Sequence, residues 1–263
     1  MKVGTDGILL GAWISTKGAG KLLDIGTGSG LIALMAAQKC AAGGDRRFHI
    51  TGIDINADAA AQAAENFSAS PWASQLSARH ASLADFLAEG HDGSFDVIVS
   101  NPPYYITGKS IIPSGEARTA ARRDSELTLD DVVEAAARLL SPTGRLSLIL
   151  PTAREADLTA AMDRGGMVFS RRCLVRTTER KEPSRLLAEL SPWGRSDKKV
   201  ETYTANQPPA YSEWCRSGSF HWTYPKSGCH LPQNREESYT NCVETYLTIG
   251  SEDFRKLTGD YYL

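Results

Sequence analysis

With 263 residues, 41% of them hydrophobic, the chain can bury one sizeable core, enough for a single α/β domain with at most a small appendage. A net charge of -2 excludes a globally basic protein that coats nucleic acid, so a polyanion would need a local patch. The longest apolar runs, such as Leu31 to Ala37, are too short to span a bilayer, and Met1-Lys2 opens no signal pattern. An odd, scattered set of five cysteines points to free thiols, so no membrane association and a cytoplasmic address are expected.

Residues 1 to 14 form a glycine-rich turn with Gly4, Thr5 and Asp6, followed by an apolar helical stretch. Asp6 reads as a helix cap, and Gly4 and Thr5 as groups lying over a cofactor's carboxylate. Lys21 to Ile25 is a strand. Gly26-Thr27-Gly28-Ser29-Gly30 is a glycine turn, and Leu31 to about Cys40 is a helix. The spacing Asp-x-Gly-x-Gly-x-Gly differs from the dinucleotide pattern G-x-G-x-x-G. Asp24, just ahead of Gly26, would repel a pyrophosphate but suits an ammonium or a ribose hydroxyl. S-adenosylmethionine has both and carries no phosphate.

Phe48 to Asp54 is a second strand whose terminal carboxylate would accept from both ribose hydroxyls, and Asn56 caps a helix from Ala57 to about Asn66. Leu76 to His80 is a third strand. Beyond it, Asp85 reads either as the acceptor of a cofactor's adenine amine, with Phe86 packed on the ring, or as a helix cap.

Phe95 to Val99 is a short β-branched run, read as a buried parallel strand, and it opens into Ser100-Asn101-Pro102-Pro103-Tyr104. Ligands of open α/β sheets bind at the carboxyl ends of such strands. The prolines hold Asn101 extended and stiff. The Asn101 side-chain oxygen and the Pro102 carbonyl would accept both hydrogens of an exocyclic amine, and Tyr104 would stack on an extruded base. A strand followed by an ordinary Asn-Pro turn is the other reading of the same residues.

The loop from Ile106 to Arg123 carries Arg118, Arg122 and Arg123, read as phosphate contacts or as a solvated charged loop; Tyr105 precedes it. Thr128 caps a helix from Leu129 to Leu140, Pro142-Thr143-Gly144 ends it, Arg145 to Leu150 is a fifth strand, and a helix follows to about Arg164. Val168 to Thr177 and Ser184 to Leu190 are expected to form an antiparallel hairpin at the sheet edge. Basic residues concentrate there, including Arg171, Arg172, Arg176, Arg180, Lys181 and Arg185. They suit an RNA footprint or an edge charged against aggregation.

Residues 206–241 change to Pro, Ser, Trp, Tyr, Gly and His without period, and read as an inserted loop flanked by the near copies Val200 to Thr204 and Val243 to Thr248. Cys215, His221, Cys229, His230 and Cys242 lack paired ligand spacing, so no metal is expected.

Asp24 to Gly30, Asp54, Asp85 and Asn101 to Tyr104 stand in register at successive strand ends. In this the chain resembles class I S-adenosylmethionine-dependent methyltransferases. The opening Met1 to Gly7, Leu9 to Trp13, the Asn101 to Tyr105 run and Phe254 to Thr258 with Tyr261 to Leu263 resemble, more narrowly, the bacterial tRNA1(Val) adenine-37 N6-methyltransferase family. That resemblance covers about residues 1 to 204 and 243 to 263. It implies one α/β domain over residues 1–263, a Rossmann-like doubly wound sheet of seven strands with an antiparallel last strand. It also implies S-adenosylmethionine as cofactor, tRNA as partner with no protein partner, and methyl transfer to N6 of an adenine. Family members carry a short segment ahead of the position of Met1, so the chain reads as truncated there, and the insertion has no counterpart. Another planar nitrogen, on rRNA, DNA or a protein glutamine, is the alternative substrate. A catalytically silent RNA-binding relative is the alternative role.

Overall fold

The computed structural model describes residues 4–44, 47–103 and 127–193, together with the backbone of 243–248. Five strands run parallel: β1 (Lys21–Ile25), β2 (His49–Asp54), β3 (Leu76–His80), β4 (Phe95–Ser100) and β5 (Leu140–Pro151). The hairpin strands are β6 (Met167–Arg176) and β7 (Arg185–Pro192), and β8 (Val243–Thr248) closes the described chain. Their order across the sheet is β3-β2-β1-β4-β5-β7-β6-β8.

The expected seven-stranded doubly wound sheet is therefore present as β1 to β7, and β8 extends it. β7 lies between β5 and β6, antiparallel to both, so the hairpin is stitched into the sheet by its second strand rather than its first. β8 pairs with β6 in parallel, which places one of the two near-copy segments at the new edge. The other copy, residues 200–204, lies outside the described residues, as does segment 206–241, expected as an inserted loop.

Successive strand residues point to opposite faces, and both faces are covered. Leu22, Val97 and Val99 pack with Leu9, Leu10 and Trp13 of α1 (Thr5–Trp13), α2 (Leu31–Ala42) and α3 (Ala57–Ser68). Leu23, Ile98 and Leu148 pack on the other side with α4 (Leu83–Ala88), α5 (Leu129–Leu139) and α6 (Glu155–Gly165). The helices start and stop where local chemistry dictates. Asn56 accepts from the Ala59 amide to open α3, and Thr128 forms a reciprocal capping box with Asp131 to open α5. Gly166, at φ +62°, ends α6 in the left-handed conformation that a side chain would resist. α5 stops one residue earlier than expected, because Leu140 already pairs with Phe95 of β4.

α1 is fixed at its carboxyl end by cations from three elements. Lys39 of α2 donates to the carbonyls of Ala12 and Ile14, Arg171 of β6 donates to Trp13 at 2.9 Å, and Arg145 of β5 donates to Ser15 at 2.9 Å. The Arg171 guanidinium also lies 3.8 Å over the Trp13 ring. Carbonyls at a helix end lack partners within the helix and carry the negative end of its dipole, so positive groups are favoured there. The consequence is that the opposite end of α1, with Thr5 and Asp6, is held in a set position above the strand ends.

No helix among the described residues is long and apolar enough to cross a membrane.

Candidate active site

The chain runs outward from β1 to β2 and β3, then returns to place β4 on the other side of β1. Such a reversal opens a crevice at the carboxyl ends of the two strands, where ligands of doubly wound sheets bind. Ile25, the last residue of β1, is in register with Ser100, the last of β4, and the Ser100 hydroxyl donates to the Ile25 carbonyl at 2.8 Å in full burial. Gly26 and Asn101 are the next residues on two strands about 4.8 Å apart. The glycine turn and the Asn-Pro-Pro segment thus leave the sheet side by side.

The turn is shaped by close approach. Gly26, Gly28 and Gly30 have φ of +71°, +58° and +81°, a region that favours glycine. The Gly26 and Thr27 amides donate to the Ile53 carbonyl at 2.9 and 3.0 Å, which ties the turn to β2. Asn66 of α3 donates to the Ser29 carbonyl at 2.8 Å. Gly52, in the middle of β2, is what lets Thr27 lie down on the strand: a Cβ there would be 2.7 Å from the Thr27 hydroxyl.

Asp24 is fully buried beneath this turn. Its Oδ2 accepts the Thr27 hydroxyl at 2.7 Å, while its Oδ1 has no hydrogen-bond partner among the described residues. Burial pushes the carboxyl up to about 7, against the pull of the Thr27 hydroxyl and the Ala33 amide, and the nearby Asp54 charge adds to the rise. A buried carboxyl oxygen without a partner is stabilised either by the proton that the raised pKa favours or by a cationic donor. Asp54, half-buried at the end of β2, accepts from the Gly28 amide and the Asn56 amide, each at 2.9 Å. Each of its oxygens keeps a lone pair for a hydroxyl donor. The residue after it, Ile55, is a large apolar side chain left 50% exposed.

The third strand departs from expectation. Ser82, not Asp85, caps α4, and its hydroxyl donates to Asp85 Oδ2 at 2.6 Å. Asp85 is exposed, with its other oxygen available, but Phe86 is 1% exposed and packs against His91 and Phe95, with centroids 4.7 and 6.0 Å away. Phe86 therefore belongs to the core and offers no face to a ligand. Adjacent residues of a helix point about 100° apart, so Asp85 and Phe86 cannot meet the same ring.

A cleft of about 480 Å³ is lined by Gly4, Thr5, Asp6, Asn101, Pro102, Pro103 and Arg185. It brings Thr5 and Asn101, nearly a hundred residues apart in sequence, to one opening. Gly4 is the cap of α1 without a side-chain bond, and Asp6 sits in its first turn, where it accepts from Arg185 Nε at 2.9 Å instead of capping the helix. Tyr104, Tyr105, Arg118, Arg122 and Arg123 lie outside the described residues. The basic hairpin is less uniform than its sequence. Arg171 and Arg172 are spent inside the fold, on Glu189 at 3.1 Å and Glu155 at 2.6 Å.

An acid and three turned glycines thus lie below a stiff Asn-Pro-Pro segment at the reversal of a doubly wound sheet, the crevice where such sheets bind their ligands. Residues 3–164 match the Methyltransferase small domain family, and the chain belongs to that family. Among solved structures it is similar to a protein described as a predicted O-methyltransferase from Agrobacterium tumefaciens. The TM-score is 0.52 at 18% identity, over 71% of this chain and 80% of that one. It is also similar to the CcbJ methyltransferase of Streptomyces caelestis, at TM-score 0.50 and 12% identity, over 73% of this chain and 97% of that one. These likenesses bear on the fold.

The narrower relation comes from sequence. The chain is 41% identical to the tRNA1(Val) (adenine(37)-N6)-methyltransferase of Tolumonas auensis over 191 residues, 73% of this chain and 76% of that protein. It is 42% identical to the protein of the same name from Phocaeicola vulgatus over 187 residues, 71% of this chain and 75% of that one. Within the methyltransferases, the chain belongs to the tRNA1(Val) (adenine(37)-N6)-methyltransferase family.

Proposed function

We infer that the chain is an S-adenosylmethionine-dependent methyltransferase that modifies N6 of an adenine in tRNA, adenine 37 of tRNA1(Val), in the cytoplasm. The observation that carries this is the position of Asn101 and Pro102. They stand one and two residues past the β1–β4 register, beside the glycine turn and on the wall of the same cleft as Thr5.

The bare Asp24 oxygen, the left-handed glycines and the spare lone pairs of Asp54 fit S-adenosylmethionine. Asp24 would meet its ammonium, Asp54 its ribose hydroxyls, Asp85 its adenine amine and Thr5 its carboxylate. Gly26, Gly28 and Gly30 would admit it close to the backbone, and exposed Ile55 would cover a purine face. When bound, that cofactor supplies a methyl group on a cationic sulfur, already activated as a leaving group.

The chain's own work is alignment. An adenine amine is a weak nucleophile, because its lone pair is delocalised into the ring. The Asn101 oxygen and the Pro102 carbonyl oxygen would accept its two hydrogens and favour a tetrahedral nitrogen, with Tyr104 and Tyr105 packing on the base. Arg118, Arg122 and Arg123 would contact phosphate. The methylated amine is acidic and gives its extra proton to solvent, so no strong base is required. The whole chain acts as one catalytic domain, with residues 206–241 an insertion in it.

The test is to incubate the purified chain with radiolabelled S-adenosylmethionine and an unmodified tRNA1(Val) transcript, then digest and identify the labelled nucleoside. N6-methyladenosine is expected. Label in another nucleoside, or none, would contradict the reading.

A further inference from the structure

Arg185 is the one basic residue of the β6–β7 hairpin that reaches the cleft wall, opposite Asn101, Pro102 and Pro103. Its chain position explains why. β7 runs antiparallel to β5, so its first residue lies at the carboxyl edge, in register with Pro151, three residues past the point where β5 pairs with Ser100. Arg171 and Arg172, on the neighbouring strand, point into ion pairs with side-chain exposures of 18% and 15%, whereas Arg185 keeps 35%.

The Arg185 guanidinium is incompletely used. Nε donates to Asp6 Oδ2 at 2.9 Å and Nη1 to the Ser184 carbonyl at 3.1 Å, and Nη2 makes no hydrogen bond among the described residues. A guanidinium has five N–H donors in a planar fork that suits two oxygens of one phosphate. The turn just before it exposes Arg180 and Lys181 between Glu179 and Glu182, so it carries no net charge and the charge at the cleft rim is that of Arg185 itself.

We propose that Arg185 is the phosphate-binding group at the mouth of the base pocket. It is held ready by Asp6 in the free protein and takes a phosphodiester oxygen of the RNA backbone next to the extruded nucleotide. This rests on the reading of the cleft as the site of RNA methylation. A base that enters the cleft brings its sugar and phosphate to the rim, where Arg185 and Asp6 stand. Nη2 and Nη1 meet the phosphate, and Asp6 becomes a competitor for the same charge. Asp6 therefore weakens RNA binding while keeping the guanidinium aimed.

The experiment measures binding of an unmodified tRNA1(Val) transcript across a salt series for the wild-type chain and for Arg185→Ala, Arg185→Lys and Asp6→Asn. Affinity for S-adenosylmethionine is followed in parallel. Arg185→Ala is expected to weaken RNA binding about tenfold and to flatten the salt dependence by about one charge, with cofactor affinity unchanged. Arg185→Lys should restore the salt slope but only part of the affinity. Asp6→Asn should tighten RNA binding severalfold. If the pair were merely a strut for α1, Asp6→Asn would weaken RNA binding as Arg185→Ala does, and cofactor affinity would fall with it. That result overturns the proposal, as does an Arg185→Ala protein with unaltered RNA affinity and salt slope. A wild-type chain that neither binds nor methylates the transcript would overturn the functional reading itself. A wild-type chain that does both, while Arg185→Ala behaves identically, removes only Arg185.

Discussion

Two aspartates on neighbouring strands show how differently the two ends of the sheet are built. Asp96, at the amino end of β4, accepts from the Gly20 and Lys21 amides at 2.9 and 3.0 Å and from the Ser141 hydroxyl at 3.3 Å. Asp24, near the carboxyl end of β1, accepts one hydroxyl and keeps one oxygen bare in full burial. The amino edge spends its polar groups on the fold, with Arg145 on Ser15 and Lys17 and Arg138 on Asp92. The carboxyl edge holds groups in reserve: Asp24 Oδ1, the spare lone pairs of Asp54 and a donor of Arg185. A partnerless buried polar atom destabilises a fold, and Asp24 Oδ1 is such an atom at the carboxyl edge, beside the half-buried Asp54 and Arg185 whose remaining capacity faces outward.

Substitutions at the two edges should therefore fail in different assays. The largest effect on cofactor binding is expected for Asp54→Ala, which removes acceptors for two hydroxyls. Affinity for S-adenosylmethionine should fall about 100-fold by calorimetry, with a smaller loss of thermal stability from the freed Gly28 and Asn56 amides. Gly52→Ala should act next most strongly. The new Cβ meets Thr27, so the protein should lose about 1–3 kcal/mol in denaturant unfolding and bind cofactor more weakly, because the turn must lift off β2. Asp96→Ala should cost a similar 1–3 kcal/mol of stability while leaving cofactor affinity within about twofold. Equal loss of cofactor affinity in Asp96→Ala and Asp54→Ala would erase the distinction between the edges.

The subtlest expectation concerns pH. Burial raises Asp24 from 3.8 to about 7, so the folded chain holds this proton more tightly than the unfolded chain does. Its contribution to stability is greatest below pH 4 and is lost as pH rises from about 4 to 7. An ammonium at Oδ1 favours the ionised form, so cofactor affinity should climb over the same range and level off above about 7, with a proton released on binding. Calorimetry in buffers of different ionisation enthalpy reads that proton, and Asp24→Asn should abolish the release.

The strand ends were legible in the sequence because each combines a short buried run with a chemically distinctive terminus. β3 has the expected bounds, and Asp24, Asp54 and Asn101 fall at one edge because parallel strands carry their carboxyl ends together. Contacts set by tertiary packing were not legible. Phe86 looks like a stacking aromatic in sequence, yet its neighbours His91 and Phe95 come from the following loop and strand. The need for Gly52 shows only in the packing, where Thr27 lies against it. Arg185 was one base among many in a charged hairpin. Only the antiparallel insertion of β7 beside β5 separates it from Arg171 and Arg172, and local periodicity does not encode which neighbour a strand will choose.

The most direct test separates holding the cofactor from aligning the amine. Asn101→Ala should leave the dissociation constant for S-adenosylmethionine within about twofold and cut methyl transfer to the tRNA1(Val) transcript by at least about 100-fold. Methyl transfer that survives the substitution, or cofactor binding that is lost along with it, would contradict the assignment of Asn101 as the group that grips the adenine amine.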